Sequence, residues 1–202
     1  PMGADWLVTY EVAKRVAKER NCFVAPPIPY GFSEDLMCYP GTLSISTMSI
    51  ISIYKDVLES FHRQGLKNVL FLCGHVGNIG AVDQAACDAK REYGMNCAII
   101  DWWRFICSVN KDLMESKFPE GHAAESGTSV LKYLFPEMVV EEKMIGNEKN
   151  GEGEIPDLYV YEYFDKETPT SVLGNPFAGS REKGEAMINN GIKVIGDFLE
   201  KW

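Results

Sequence analysis

The sequence is short of basic residues and contains no long apolar run. Its 202 residues include 20 Lys and Arg against 29 Asp and Glu, which gives a formal net charge of −9 and an isoelectric point near 4.9. An acidic surface argues against nucleic acid or an anionic membrane as a partner. No stretch approaches the roughly 18 apolar residues of a membrane span. We therefore expect a cytoplasmic protein that acts on a small molecule.

Histidine and closely spaced cysteine are scarce as well. The chain has three histidines, and its six cysteines lack the paired spacing of a metal site. We expect these thiols to be reduced and buried. A phosphate-binding loop is also missing, because Gly74-His-Val-Gly77 has neither the Walker lysine nor the spacing of a dinucleotide fingerprint. A nucleotide-binding α/β protein is thus the least favoured interpretation.

Helical and strand patterns alternate along the chain. Helices are predicted over 6–20, 47–64, 78–93, 128–135 and 179–202, and strands over 22–25, 69–73, 96–100 and 158–164. This alternation predicts a single α/β domain over residues 1–202, built as a three-layer α/β/α sandwich with a mainly parallel sheet. The charged stretch 141–154 is expected to be a solvated excursion.

A long loop, residues 26–41, separates the first predicted strand from the second helix. Long loops in compact domains usually belong to functional sites, so Tyr30, Glu34 and Asp35 are candidates for a cavity wall. A surface excursion is the equal alternative.

The stretch 69–78 (VLFLCGHVGN) is the most informative part of the chain, because an apolar strand ends in a histidine between glycines. Glycine permits backbone angles that a Cβ would obstruct, so a sharp turn is predicted around His75. In open α/β sheets ligands bind at the carboxyl ends of strands. His75 is therefore either a metal ligand or acid/base group, or the histidine of an ordinary turn.

Two further carboxylates have the same two interpretations. If the GHAAESGTS stretch at 121–129 opens a helix, His122 and Glu125 lie at i and i+3 on one face, either as a site or as a capping arrangement. Asp5 is either the cap of the first helix or a carboxylate that bridges two metal ions.

Of two adjacent tryptophans, Trp102 and Trp103, we expect one in the core and one at the site. His62 is predicted to be an ordinary residue on a solvated helix face.

Six sequence segments, taken in chain order, favour a functional site over ordinary turns and caps for Asp5, His75 and Glu125. They are PMGAD (1–5), YPGTLS (39–44), GLKNVLFLCGHVGN (65–78), WWRF (102–105), GHAAE with TS (121–125 and 128–129) and SREKGE (180–185). Together they resemble the creatininase (creatinine amidohydrolase) family over the whole chain. The resemblance implies hydrolases with two divalent metal ions, Zn, Mn or Fe, that act mostly on amide bonds. Family substrates include creatinine, a formamidopyrimidine, a precursor peptide and an inositol-derived ketone.

The resemblance also implies roles for individual residues. Asp5 matches the bridging aspartate, His75 a histidine ligand and Glu125 a glutamate ligand of the second metal ion. His122 matches the histidine that handles protons at the leaving nitrogen. Trp103, Val76 and Phe118 occupy substrate-pocket positions, with aromatic residues of creatininase replaced at the last two. Because creatininase takes its second-metal glutamate at the position of Gly77, this chain departs from the creatinine-specific branch.

One family feature has no counterpart in the sequence. Members carry a strand and loop before the Asp5 position, with a Glu-x-His segment that supplies one ligand to each metal ion. We expect the sequence to lack this N-terminal strand and ligand loop. The rival prediction is accordingly a catalytically impaired binding or regulatory paralogue on the same scaffold. The family further implies a homo-oligomer, commonly a hexamer.

Overall fold

The computed structural model describes residues 2–147 and 160–202, in which helices and strands alternate. The elements are α1 (Ala4–Arg20), α2 (Thr47–Arg63), β1 (Asn68–Cys73), α3 (Ile79–Tyr93), β2 (Asn96–Asp101), α4 (Trp102–Ser108), α5 (Glu125–Leu134) and α6 (Arg181–Leu199). Serine side chains cap two of them: Ser46 accepts from the amide of Ser49 at α2, and Ser180 accepts from the amide of Lys183 at α6.

The two strands form a parallel pair that separates two apolar layers. Asn68 pairs with Asn96 and Cys73 with Asp101, so both strands end at the same edge. Successive side chains of a strand point to opposite faces. Leu70 and Leu72 accordingly pack against a core from α1, α4, α5 and α6, whereas the intervening strand residues pack against a core from α2, α3 and Met95. The predicted α/β/α sandwich is confirmed.

Three predicted segments differ in the structure. Residues 22–25 form no strand, because the segment finds no pairing partner and the Phe23 side chain is 91% exposed. Residues 160–163 are also outside any strand, and 158–159 lie outside the described residues. Helix α5 begins at Glu125, three residues earlier than predicted, so His122 precedes the helix.

Other expectations are met in part. All six cysteines are free, but Cys22, Cys38 and Cys87 are exposed, so the expectation of burial is wrong for these three. In the excursion 141–154, Glu141–Lys143 form a 3-10 turn, and residues 148–154 are outside the described part. None of the described helices is long and apolar enough to cross a membrane.

Candidate active site

Asp5, His75 and Trp103 meet at the carboxyl edge of the sheet. Asp5 lies in the first turn of α1, His75 follows β1 and Trp103 follows β2. The Nδ1 atom of His75 is 3.7 Å from Asp5 Oδ2, and Trp103 Nε1 donates a hydrogen bond of 3.0 Å to Asp5 Oδ1. Asp5 is not a cap, since Gly3 occupies the N-cap position of α1. Its carboxylate is instead half-exposed and oriented by an indole.

Close contacts with other main chains explain both glycines, Gly74 and Gly77, of the turn around His75. A Cβ on Gly74 would lie 2.4 Å from the carbonyl oxygen of Asp5, and one on Gly77 would lie 2.8 Å from the carbonyl oxygen of Phe32. Neither glycine has the positive φ found at Gly94. Both glycines are therefore needed for space, and the unusual backbone angles predicted from the sequence are wrong for this turn.

The loop 26–41 is attached to the same turn. Asn78 Oδ1 accepts a hydrogen bond of 2.8 Å from the amide of Phe32, and the amide of Ile45 donates to the carbonyl of Gly31 at 2.9 Å. The loop residues nominated from the sequence are Tyr30 and Glu34, which are exposed, and Asp35, which is half-buried. Their place in a cavity wall stays a prediction.

Glu125 is fully buried and is held by a separate set of donors. Its carboxylate accepts from the amides of Glu115 (3.0 and 3.1 Å) and Ser116 (2.7 Å), from the Ser116 hydroxyl (2.6 Å) and from Lys183 Nζ (2.7 Å). Burial alone would raise the pKa of Glu125, but the hydrogen bonds from Lys183 and Ser116 outweigh it and lower that pKa. Its assignment as a metal ligand stays a prediction.

His122 does not share a helix face with Glu125. Because α5 begins at Glu125, His122 lies in the preceding turn, where Ala123 has a φ of 55°. The imidazole is exposed; its Nδ1 contacts the carbonyl of Ser171 at 2.5 Å, and its ring meets Phe164 edge-on at 5.5 Å. The expected common face is thus wrong, although both residues remain in one loop-to-helix junction.

The remaining nominated residues take separate places. Val76 follows His75 and is 54% exposed, and Phe118 is half-buried with Lys117 Nζ 5.1 Å from its ring centroid. Trp102 is fully buried in the larger core, so the prediction of one tryptophan in the core is confirmed. His62 is exposed and stacks on Tyr93, as expected of a surface helix residue.

Imidazole nitrogen and carboxylate oxygen are donors that suit a divalent cation such as zinc, so Asp5 and His75 fit half of a metal site. Within residues 2–147 and 160–202, no group of three or more His, Cys, Asp or Glu side chains is arranged to hold a metal ion. Cys73, near His75, is buried, which raises the pKa of its thiol to about 11, and the thiol donates a hydrogen bond of 3.2 Å to the carbonyl of His75.

Sequence reasoning missed three residues that determine these environments. Lys183 and Ser116 neutralise and orient Glu125, and Ser171 contacts His122. Lys183 lies within the SREKGE segment (180–185), and this segment was the one feature of the sequence that could have indicated a role for the lysine. Ser116 and Ser171 lie in loops without a recognisable pattern, and only the fold brings them to their partners.

The family model for creatininase, described as creatinine amidohydrolase, matches residues 1–199. The chain belongs to the creatininase family. It is a hydrolase of the amidohydrolase type found in that family. The prediction made from the six sequence blocks is confirmed.

Similar proteins of the creatininase family act on different compounds. The mycofactocin precursor peptide peptidase of Mycolicibacterium smegmatis is 24% identical over 100% of this chain and 78% of its own length. The 3-dehydro-scyllo-inosose hydrolase of Thermotoga maritima is 26% identical over 100% of this chain and 70% of its own length. Neither is named for creatinine.

Solved creatininase structures share the fold. A mutant creatininase complexed with creatine superposes with a TM-score of 0.84 at 23% identity, covering 99% of this chain and 84% of that one. A Zn-Zn form of a mutant enzyme (TM-score 0.82, 23% identity) and a manganese form (0.79, 22%) each cover 99% of this chain and 83% of their own.

Proposed function

We propose that this enzyme uses a binuclear divalent metal site to activate water for attack on a C–N amide bond in a cyclic amide, a formamide or a peptide. The observation that carries the proposal is the pair Asp5 and His75. The two residues come from different elements, and His75 Nδ1 lies 3.7 Å from Asp5 Oδ2. They converge at the sheet edge where ligands bind in α/β folds. Family membership supports the hydrolytic chemistry.

Asp5 and His75 are the residues that would hold metal in this chain, with Glu125 as the third candidate. The metal would be zinc, manganese or iron, since solved relatives include Zn-Zn and manganese forms. A bound divalent cation of this kind lowers the pKa of water and polarises a carbonyl oxygen.

The chain's own residues would orient the donors and move protons. Trp103 fixes one oxygen of Asp5 and leaves the other turned toward His75. His122 would carry a proton from the attacking water to the departing nitrogen, since exposed imidazole can reach solvent and substrate. Val76, Trp103 and Phe118 would form the substrate wall.

A second candidate is a catalytically impaired binding or regulatory paralogue. The contacts of Glu125 favour this candidate. Lys183 and Ser116 donate hydrogen bonds to its carboxylate, which by the family resemblance would bind the second metal ion. A lysine ammonium 2.7 Å from that carboxylate opposes a divalent cation electrostatically. Only measurement of bound metal and of turnover separates the two candidates.

The substrate class follows from the relatives as a proposal. The two named relatives are a precursor peptide peptidase and a 3-dehydro-scyllo-inosose hydrolase. We therefore rank peptides, formamides and cyclic amides other than creatinine ahead of creatinine itself. We further propose a cytoplasmic homo-oligomer, with the hexamer as the form to test by light scattering at micromolar concentration. A monomer at that concentration contradicts the assembly proposal.

The deciding experiment combines metal content with a hydrolysis screen. Protein dialysed against Zn²⁺ or Mn²⁺ is analysed for bound metal and assayed on creatinine, formamides, short peptides and cyclic ketones. The enzyme is expected to bind about two ions per chain and to hydrolyse at least one amide. The double variant Asp5→Asn/His75→Ala should lose both properties, and His62→Ala is the surface control. Stoichiometric metal in the double variant, or no turnover by the wild type, contradicts the proposal.

A further inference from the structure

His122 is fixed at two points by a single loop, residues 164–174. Its ring Nδ1 lies 2.5 Å from the carbonyl oxygen of Ser171, and its own carbonyl accepts a hydrogen bond of 2.9 Å from the amide of Leu173. The rings of Phe164 and His122 form a T-shaped contact, with a centroid distance of 5.5 Å and an interplanar angle of 75°. The same loop therefore sets both the main chain and the ring of His122.

The contact with Ser171 determines which ring nitrogen carries hydrogen. A main-chain carbonyl can only accept, so a hydrogen bond at this position requires that Nδ1 bear the proton. The neutral ring then has its lone pair on Nε2. The Ser171 hydroxyl lies farther from the same nitrogen, at 3.4 Å, so the carbonyl is the stronger partner.

The carbonyl contact also persists when the ring is charged. An imidazolium donates from both nitrogens, so Nδ1 keeps its bond to the Ser171 carbonyl while Nε2 gains or loses a proton. The imidazole ring can therefore keep one orientation in both protonation states. A proton carrier benefits from this arrangement because its active nitrogen stays in one place.

The loop that presents this carbonyl is itself held in position. Thr168 is fully buried; its carbonyl accepts from the Tyr39 hydroxyl, and its amide donates to the carbonyl of Phe164 at 3.0 Å. Ser171 has a φ of 62°, in the left-handed region that serine adopts rarely and a β-branched residue hardly at all. The direction of its carbonyl thus depends on a specific backbone conformation.

We propose that the Ser171 carbonyl is a positioning group that selects the Nδ1–H tautomer of His122, so that Nε2 is the nitrogen that exchanges protons in catalysis. The inference rests on the proposed role of His122 in hydrolysis. Nε2 takes a proton from water as the C–O bond forms, and returns it to nitrogen as the C–N bond breaks. The ring ends each cycle in its starting state.

The tautomer can be read directly by nitrogen NMR. Full-length protein with ¹⁵N-labelled histidine is recorded in a long-range ¹⁵N–¹H correlation spectrum at about pH 8.5, well above the ordinary histidine value of roughly 6.5. His122→Gln and His62→Gln assign the signals. Wild-type His122 is expected to show a protonated Nδ1 and an unprotonated Nε2. A protonated Nε2 overturns the proposal.

Substitutions at Ser171 test the cause. Ser171→Ala removes the hydroxyl and keeps the carbonyl, and Ser171→Gly also accepts a positive φ, so both should retain the Nδ1–H signal. Ser171→Val should redirect the carbonyl and shift the ring to a mixture of tautomers. If the valine variant does not fold, Tyr39→Phe loosens the same loop and should give a smaller shift in the same direction. Loss of the signal in Ser171→Ala, or its full retention in every loosened variant that folds, overturns the proposal.

Kinetics separate this inference from the proposed function. With the amide identified in the hydrolysis screen, Ser171→Val should lower kcat by about 10-fold or more, and Tyr39→Phe by a smaller factor, while KM and bound metal change little. If the wild type turns over no substrate, the proposed function fails. The spectrum, which needs neither substrate nor metal, still decides the tautomer.

Discussion

Lys183 Nζ lies 2.7 Å from Glu125 Oε1, and together they form an ion pair in which the glutamate is fully buried. Lys183 also pairs with Glu115 at 2.7 Å. A buried pair contributes little relative to apolar residues, but removing one partner leaves an uncompensated charge. The pair therefore ties α5 to α6 and makes the stability of that junction depend on charge.

Lys183→Met should reduce the free energy of unfolding by about 3 kcal/mol or more, because Glu125 would remain buried without its cation. Urea denaturation followed by circular dichroism measures the loss. Lys193→Met on the same helix is the matched control: the side chain of its partner Asp197 is 43% exposed, so water screens the pair and the loss should be much smaller. Equal losses in both variants would show that the burial of Glu125 has no energetic consequence.

The same pair predicts a stability plateau in pH. The lowered pKa of Glu125 gives stability that is present above its ordinary value of 4.5 and is lost as pH falls through the lower folded value. The pKa of Lys183 is raised, since its bonds to Glu115 and Glu125 outweigh the opposing effect of burial. Its contribution is present below the ordinary value of 10.5 and is lost as pH rises through the higher folded value. The stability difference between wild type and Glu125→Gln/Lys183→Met, measured across pH, should shrink at both ends. A pH-independent difference would contradict the assignment.

Trp103→Phe should weaken metal binding by about 10- to 100-fold without unfolding the protein, because the indole hydrogen bond orients the Asp5 carboxylate. Isothermal titration with Zn²⁺ measures the affinity. Trp102→Phe, which alters the core beside it, should lower stability and leave the affinity nearly unchanged. A greater loss of affinity in Trp102→Phe would refute the orienting role.

Two histidine variants should behave differently. His122→Ala is expected to lower hydrolysis by roughly two to four orders of magnitude with bound metal nearly unchanged, the usual contribution of general acid/base assistance. His75→Ala should lower metal content and activity together, because the Asp5 pair is lost. Metal analysis and rates on the same samples make the comparison. Metal lost from His122→Ala and kept by His75→Ala would reverse the two roles.

The layered fold was predictable because its signals are local. The apolar runs at β1 and β2 and the periodic faces of α2, α3 and α6 each follow from neighbouring residues. The segment 22–25 shows the limit of this approach, since β-favouring residues make a strand only where a partner strand pairs with them. Its exposed Phe23 has no such partner among the described strands.

The site was predictable in part. The meeting of Asp5, His75 and Trp103 could be predicted, because the sequence shows a helix start at Asp5 and strand ends before His75 and Trp103. Such ends lie at one edge of a parallel sheet. The surroundings of Glu125 were not predictable, since Lys183 is 58 residues away along the chain and Ser116 precedes it in an irregular loop. Such contacts depend on how α5 and α6 dock, which no short pattern records.

The contact of Gly74 with the Asp5 carbonyl has a practical consequence for redesign of this enzyme. The main chains of Asp5 and Gly74 touch, so the distance between the backbone positions that carry the Asp5 and His75 side chains depends on this contact. A library at Val76 and Phe118, the proposed substrate wall, should therefore leave that main-chain contact in place. Position 74 is the exception, because any side chain there would push α1 away from β1 and open the gap between the two donors.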